Sequence, residues 1–169
     1  MKIKICGITN IEDAKLCVDL GANAIGFIFY KKSKRYVSPD IVRNIVQKLP
    51  PFILKIGVFV NEEIKRVNEI TGETKLNIVQ LHVDESPEYL KEIDYSVIKA
   101  FRVDDDFEFE NLRKYQSCSF LFDSYNQKEY GGTGVQFDWG KIPDNLNRKI
   151  ILTTIMKLGV DRVHSSPAE

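Results

Sequence analysis

Cys6 and Asp123 are the residues whose type and setting best suit proton transfer. Cys6 closes the run Lys2-Ile3-Lys4-Ile5-Cys6, in which strand alternation puts Lys2, Lys4 and Cys6 on one face. A lysine beside a thiol favours the thiolate, a base and a nucleophile; the other reading of Cys6 is a small packed hydrophobe. Asp123 follows Phe120-Leu121-Phe122, where a partly desolvated carboxyl group suits a general acid or, equally, caps the next turn. Lys31-Lys32-Ser33-Lys34-Arg35 offers charge for a phosphate or carboxylate, with the bidentate fork of Arg35, or is a solvated loop. His82 reads as an acid/base group or ligand, or as a hydrogen-bonded structural histidine. Gly131-Gly132-Thr133-Gly134 reads as an anion-wrapping loop, a mobile lid or an ordinary turn. Cys17 and Cys118 read as packing residues.

These groups need elements to hold them, and short apolar runs alternate with helical patterns along the chain. Strands are predicted over residues 2–6, 24–29, 53–60, 77–82, 96–103, 117–123 and 149–153. Between them, Thr9 and Glu12 match a capping box, Ser38-Pro39 and Ser86-Pro87 read as caps with proline at the first helical position, and Asn61 reads as a cap. A polar amphipathic helix is expected near residues 105–115. Crossovers long enough for a helix imply parallel strands, and near-continuous apolar strands imply a sheet covered on its outer face. In such folds functional groups collect at the carboxyl ends of the strands, where Cys6, the run from Lys31 to Arg35, His82, Arg102 and Asp123 all fall.

The composition narrows the classes. The chain has 169 residues, 43% hydrophobic and 28% charged, with 24 basic and 24 acidic side chains, which suits one well-cored domain. That balance gives no bulk electrostatic attraction to nucleic acid or to an anionic membrane. The three cysteines form neither a zinc spacing nor a disulfide scaffold, so no metal is expected and a reducing cytoplasm is the expected location. No apolar run approaches the ~18–20 residues of a membrane span.

Together the motifs resemble the phosphoribosylanthranilate isomerase family. The resemblance rests on Lys4-Ile5-Cys6-Gly7-Ile8-Thr9, on Gly26-Phe27, and on Lys32-Ser33-Lys34-Arg35-Tyr36-Val37-Ser38-Pro39. It continues at Gly57-Val58-Phe59-Val60-Asn61, Val79-Gln80-Leu81-His82 and Asp123, and from Glu129-Tyr130-Gly131-Gly132-Thr133-Gly134 to Phe137-Asp138-Trp139. It implies a parallel (βα)8 TIM-type barrel and a cofactor-free Amadori rearrangement of a small phosphorylated substrate in tryptophan biosynthesis. Carried over by motif, Asp123 is the general acid that opens the ribose ring and Cys6 the general base that removes the C2 proton. Arg35 holds the anthranilate carboxylate, Gln80 and His82 line the site, and the loop with Gly131 and Gly132 closes over it.

The chain departs from the family after Leu152. Thr153-Thr154-Ile155-Met156 stands where the family has a glycine pair, the next apolar segment, 159–163, follows too soon for a full crossover, and Pro167 replaces a glycine. The expectation is one barrel domain over residues 1–169, incomplete at its C-terminal end, with residues 153–169 off the family pattern. The late loops usually bind phosphate in such barrels, so weak or absent activity is expected of the monomer. The open edge favours self-association. The alternative is an inactive remnant or interaction module on the same fold.

Overall fold

The apolar runs fold as parallel strands because each is separated from the next by a segment long enough to cross back over the sheet. In the computed structural model, which describes residues 2–82, 84–104, 106–124, 142–143 and 150–152, the strands are β1 (Lys4–Cys6), β2 (Ala24–Ile28), β3 (Leu54–Phe59), β4 (Ile78–His82), β5 (Ser96–Val103), β6 (Cys118–Ser124) and β7 (Ile150–Leu152). They form one parallel sheet in sequential order. The helices α1 (Ile11–Asp19), α2 (Pro39–Val46), α3 (Ile64–Glu73) and α4 (Pro87–Lys91) lie in the first four crossovers. This is the (βα) alternation of a TIM-type barrel.

Side-chain alternation divides the burial between two faces. On one, Ala24, Ile56, Ile98, Ala100 and Leu121, with Ile78 beside them, form a small interior cluster. On the other, strand residues such as Phe27, Phe59, Val79, Leu81, Phe120 and Phe122 pack against Ala14, Val42, Ile45, Val67 and Ile70 of the helices. Each fully buried large side chain contributes roughly 1.5–3 kcal/mol, so the helix-covered face supplies most of the stability. The interior face carries this smaller apolar cluster together with the polar groups at its carboxyl end.

Three local expectations change. The cap of α1 is Asn10, not Thr9 with Glu12: Asn10 Oδ1 accepts from the Asp13 amide at 2.7 Å and Asn10 Nδ2 donates to Asp13 Oδ2 at 2.8 Å. One amide side chain carries both donor and acceptor, so the cap sits a residue later and meets Asp13 through its backbone amide and its carboxylate. Asn61 does not cap α3, whose N-cap is Glu63; Asn61 adopts a left-handed φ of 46° and serves a different contact, described below. Of the helix expected over 105–115, a 3-10 segment, Phe109–Lys114, is present. Phe107 and Phe109 both pack on Phe122, and residues two apart share a side only when the backbone between them is extended. The expected loop at 131–134 and the segment at 159–163 lie outside the described residues.

Candidate active site

β1 delivers Cys6 to the carboxyl end of the sheet, in register with Gly26 of β2. A β-carbon on Gly26 would stand 2.9 Å from Cys6 Sγ and 3.4 Å from Lys4 Nζ, so Lys4 and Cys6 share a face as alternation predicts. Gly26 therefore makes the room that the thiol occupies. The chain then turns at Gly7, whose φ of +91° suits glycine, and the Gly7 and Ile8 amides both donate to the Gly26 carbonyl, at 2.9 and 3.0 Å. Arg35, from the loop after β2, lies across Gly7 and donates from Nη1 to the Cys6 carbonyl at 3.0 Å. A β-carbon on Gly7 would meet Arg35 Cδ at 2.6 Å. Cys6 and Arg35 are thus brought together by two glycines.

On the opposite flank, β4 and β6 contribute Gln80, His82 and Asp123. Asp123 is 7% exposed and pairs in register with Arg102 of β5. His82 Nε2 stands 3.8 Å from Asp123 Oδ2 although β5 separates their strands, a span of roughly 9.6 Å at ordinary strand spacing, because both side chains rise from one concave face. Burial lowers the His82 pKa most; Arg102 and Lys99 lower it further, while Asp123 and Glu85 act against them. The imidazole is therefore neutral at neutral pH. Gln80 is buried, and its Oε1 has no hydrogen-bond partner among the described residues.

The remaining candidates separate clearly. Lys31, Lys32 and Lys34 are exposed, while the Arg35 amide is anchored to Ser33 Oγ at 3.1 Å. Cys118 is buried in the helix-covered core, and burial followed by the Asp13 charge raises the Cys17 pKa, away from thiolate chemistry. Gly131 and Gly132 lie outside the described residues. Among the described residues no cluster of three histidine, cysteine or carboxylate side chains is placed to hold a metal ion, and no helix is long and apolar enough to cross a membrane. Sequence reasoning assigned no role to Gly26, although a glycine inside a strand run signals close approach. Lys99 carried a signal too, as a charge inside an apolar strand; Glu85, in a polar loop, carried none.

Comparison with known proteins shows which family the chain is similar to. The family profile described as N-(5'phosphoribosyl)anthranilate (PRA) isomerase matches residues 3–158. The N-(5'-phosphoribosyl)anthranilate isomerase of Geobacter metallireducens is 44% identical over 139 residues, which are 82% of this chain and 69% of the relative. The crystal structure of phosphoribosyl anthranilate isomerase from Thermotoga maritima matches with a TM-score of 0.85 and 41% identity, over 92% of this chain and 78% of that one. A phosphoribosyl anthranilate isomerase in complex with reduced 1-(o-carboxyphenylamino)-1-deoxyribulose 5-phosphate matches with a TM-score of 0.71 and 44% identity, over 75% of this chain and 66% of that one.

Proposed function

Because the chain belongs to the phosphoribosylanthranilate isomerase family, we propose that it catalyses the Amadori rearrangement of N-(5-phosphoribosyl)anthranilate to 1-(2-carboxyphenylamino)-1-deoxyribulose 5-phosphate, with Asp123 as general acid and Cys6 as general base. The observation that carries the reading is the placement of a nearly buried carboxyl group and a thiol at the carboxyl ends of β6 and β1 in one parallel sheet. Asp123 gives a proton to the ribose ring oxygen as the C1–O bond breaks, and the anilino nitrogen lone pair forms the iminium ion. Cys6, as thiolate, takes the C2 proton, and the electron pair neutralises the iminium to give an enolamine. Tautomerisation yields the ketone. The aldose carbon is reduced and its neighbour oxidised within one molecule, so acid–base chemistry suffices without a cofactor.

The neighbours support these roles. His82 is neutral and stands 3.8 Å from Asp123 on the same face. Arg35 holds the anthranilate carboxylate, its orientation set by Gly7 and the Cys6 carbonyl. Gln80 accepts a hydrogen bond from the substrate through its buried Oε1, and His82 lines the same wall.

The wider setting follows from the same reading. The partner is a small phosphorylated molecule, not nucleic acid or membrane, in the cytoplasm, and residues 1–169 act as one domain. The apolar side chain of Ile3, next to β1 and 42% exposed, supports self-association along this edge.

Steady-state turnover of phosphoribosylanthranilate tests the assignment. Cys6→Ala and Asp123→Asn are each expected to cut kcat by about 10²–10⁴-fold. Wild type and both variants equally inactive, in preparations of confirmed mass and fold, would make the chain a non-catalytic member of its family.

A further inference from the structure

The mechanism makes no use of one buried ion pair. Lys99 and Glu85 have side chains only 1% and 2% exposed, with Nζ and Oε2 2.9 Å apart. Placing two charges in the interior costs several kcal/mol per ion, and well-packed apolar residues often serve stability as well or better. The pair therefore calls for an account beyond stability.

Its contacts supply one. Glu85 lies in the loop after β4, three residues beyond His82, and takes a different partner on each oxygen: Oε2 receives Lys99, and Oε1 receives the Asn61 amide at 3.0 Å. Asn61 belongs to the loop after β3 and holds a left-handed φ of 46°, uncommon for a residue other than glycine; Asn61 Oδ1 in turn accepts from the Asp84 amide at 3.4 Å. The Glu85 carbonyl accepts from the Tyr115 hydroxyl at 3.2 Å, which ties in the segment leading to β6. Lys99 also donates to the Ala100 carbonyl at 3.2 Å and sits 5.3 Å from the centre of the Phe101 ring. Ala100 is the register partner of His82, and Arg102, two residues on, is the register partner of Asp123.

We propose that the Glu85–Lys99 pair is a positioning device for the reaction: from behind the sheet it joins the loops after β3 and β4 to β5 and so fixes His82 against Asp123. An apolar pair of similar volume would fill the space but leave the Asn61 amide without its acceptor, and it would lack the direction of a charge-assisted hydrogen bond. The kinetic arm of the test rests on the isomerase reading; the spectroscopic arm does not.

Two double variants of the full chain test this. Glu85→Leu with Lys99→Met removes both charges and the acceptor, whereas Glu85→Gln with Lys99→Met removes the charges and keeps an acceptor for Asn61. The leucine variant is expected to lose about tenfold or more in kcat with KM within about threefold, since small misplacements at a reacting centre carry penalties of that size. Its Asn61 amide should exchange with solvent about tenfold faster or more, and its His82 ring resonances should shift or broaden. The glutamine variant should keep the Asn61 protection and lose only about threefold in kcat. A folded leucine variant with wild-type kcat and unaltered His82 resonances would overturn the proposal. Should that variant fail to fold, the glutamine variant decides on the same two readouts, and wild-type values for both would overturn it. An inactive wild type would refute the isomerase reading instead, while the Asn61 exchange and His82 resonances would still support or overturn the positioning role.

Discussion

Asp123 and Glu85 are nearly buried carboxyl groups near the same end of the sheet, at 7% and 4% exposure, yet their surroundings differ in kind. Glu85 lies behind the sheet with each oxygen in a short contact to a fixed partner, Lys99 at 2.9 Å and the Asn61 amide at 3.0 Å. Asp123 rises on the concave face, where His82 stands 3.8 Å away, beyond hydrogen-bond length, and is kept neutral chiefly by burial. Burial alone therefore does not distinguish the two carboxyl groups. Glu85, with both oxygens bound by the scaffold, fixes geometry, whereas Asp123 stands among polar side chains of the concave face, beside His82 and in register with Arg102.

The sharpest way to break that comparison is to remove each carboxyl group in turn. Asp123→Asn should lower turnover by about 10²–10⁴-fold while leaving the thermal midpoint within a few degrees of wild type. Glu85→Ala should do most of its damage to stability, because Lys99 loses its carboxylate in the interior, a loss of about 3–5 kcal/mol. Calorimetry should record that as a fall in midpoint on the order of 10 °C for a chain of this size. An Asp123→Asn protein that is destabilised yet fully active would erase the distinction.

A smaller effect is expected at the other wall. Gly26→Ala places a methyl group 2.9 Å from Cys6 Sγ, so the thiol must move, and kcat should fall roughly tenfold. Unchanged kinetics would mean that the exact position of the thiol is unimportant and that only the Asp123 side of the site is geometrically demanding.

The smallest effect concerns pH. The folded state disfavours protonated His82, whose pKa lies below the usual histidine value near 6.5, so the unfolded chain binds that proton first. Stability attributable to this group is present above about pH 6.5 and is lost as pH falls from there through the lowered folded value. Urea unfolding between about pH 8 and 5 should show the decline, and His82→Gln should flatten it. The same slope in both proteins would remove His82 as its source.

Much of the fold was legible because strands and helices write their periods into sequence. The expected strand at residues 96–103 coincides with β5, and the apolar run ending in Asp123 forms β6 within a residue of the expected limits. Ser38 and Ser86 cap their helices as the serine–proline pairs predict. Thr9 and Asn61 depart from the expected caps because both types suit several hydrogen-bonding roles, and distant or competing partners decide among them. Cys6 and Asp123 stand out as candidates through their motifs, but their neighbours do not: no local pattern joins Cys6 to Gly26, or Glu85 to Asn61, across 20 and 24 residues.

The sequence by itself determined the parallel strands, the helix-covered face and the polar ends of the strands, because periodicity and crossover length are local properties. Only the tertiary structure decided that Gly26 yields its space to a thiol, that Lys99 meets Glu85, and that His82 faces Asp123. The physical reason is that such contacts depend on strand register and on the concave face of the sheet, which bring together side chains that the chain itself keeps far apart.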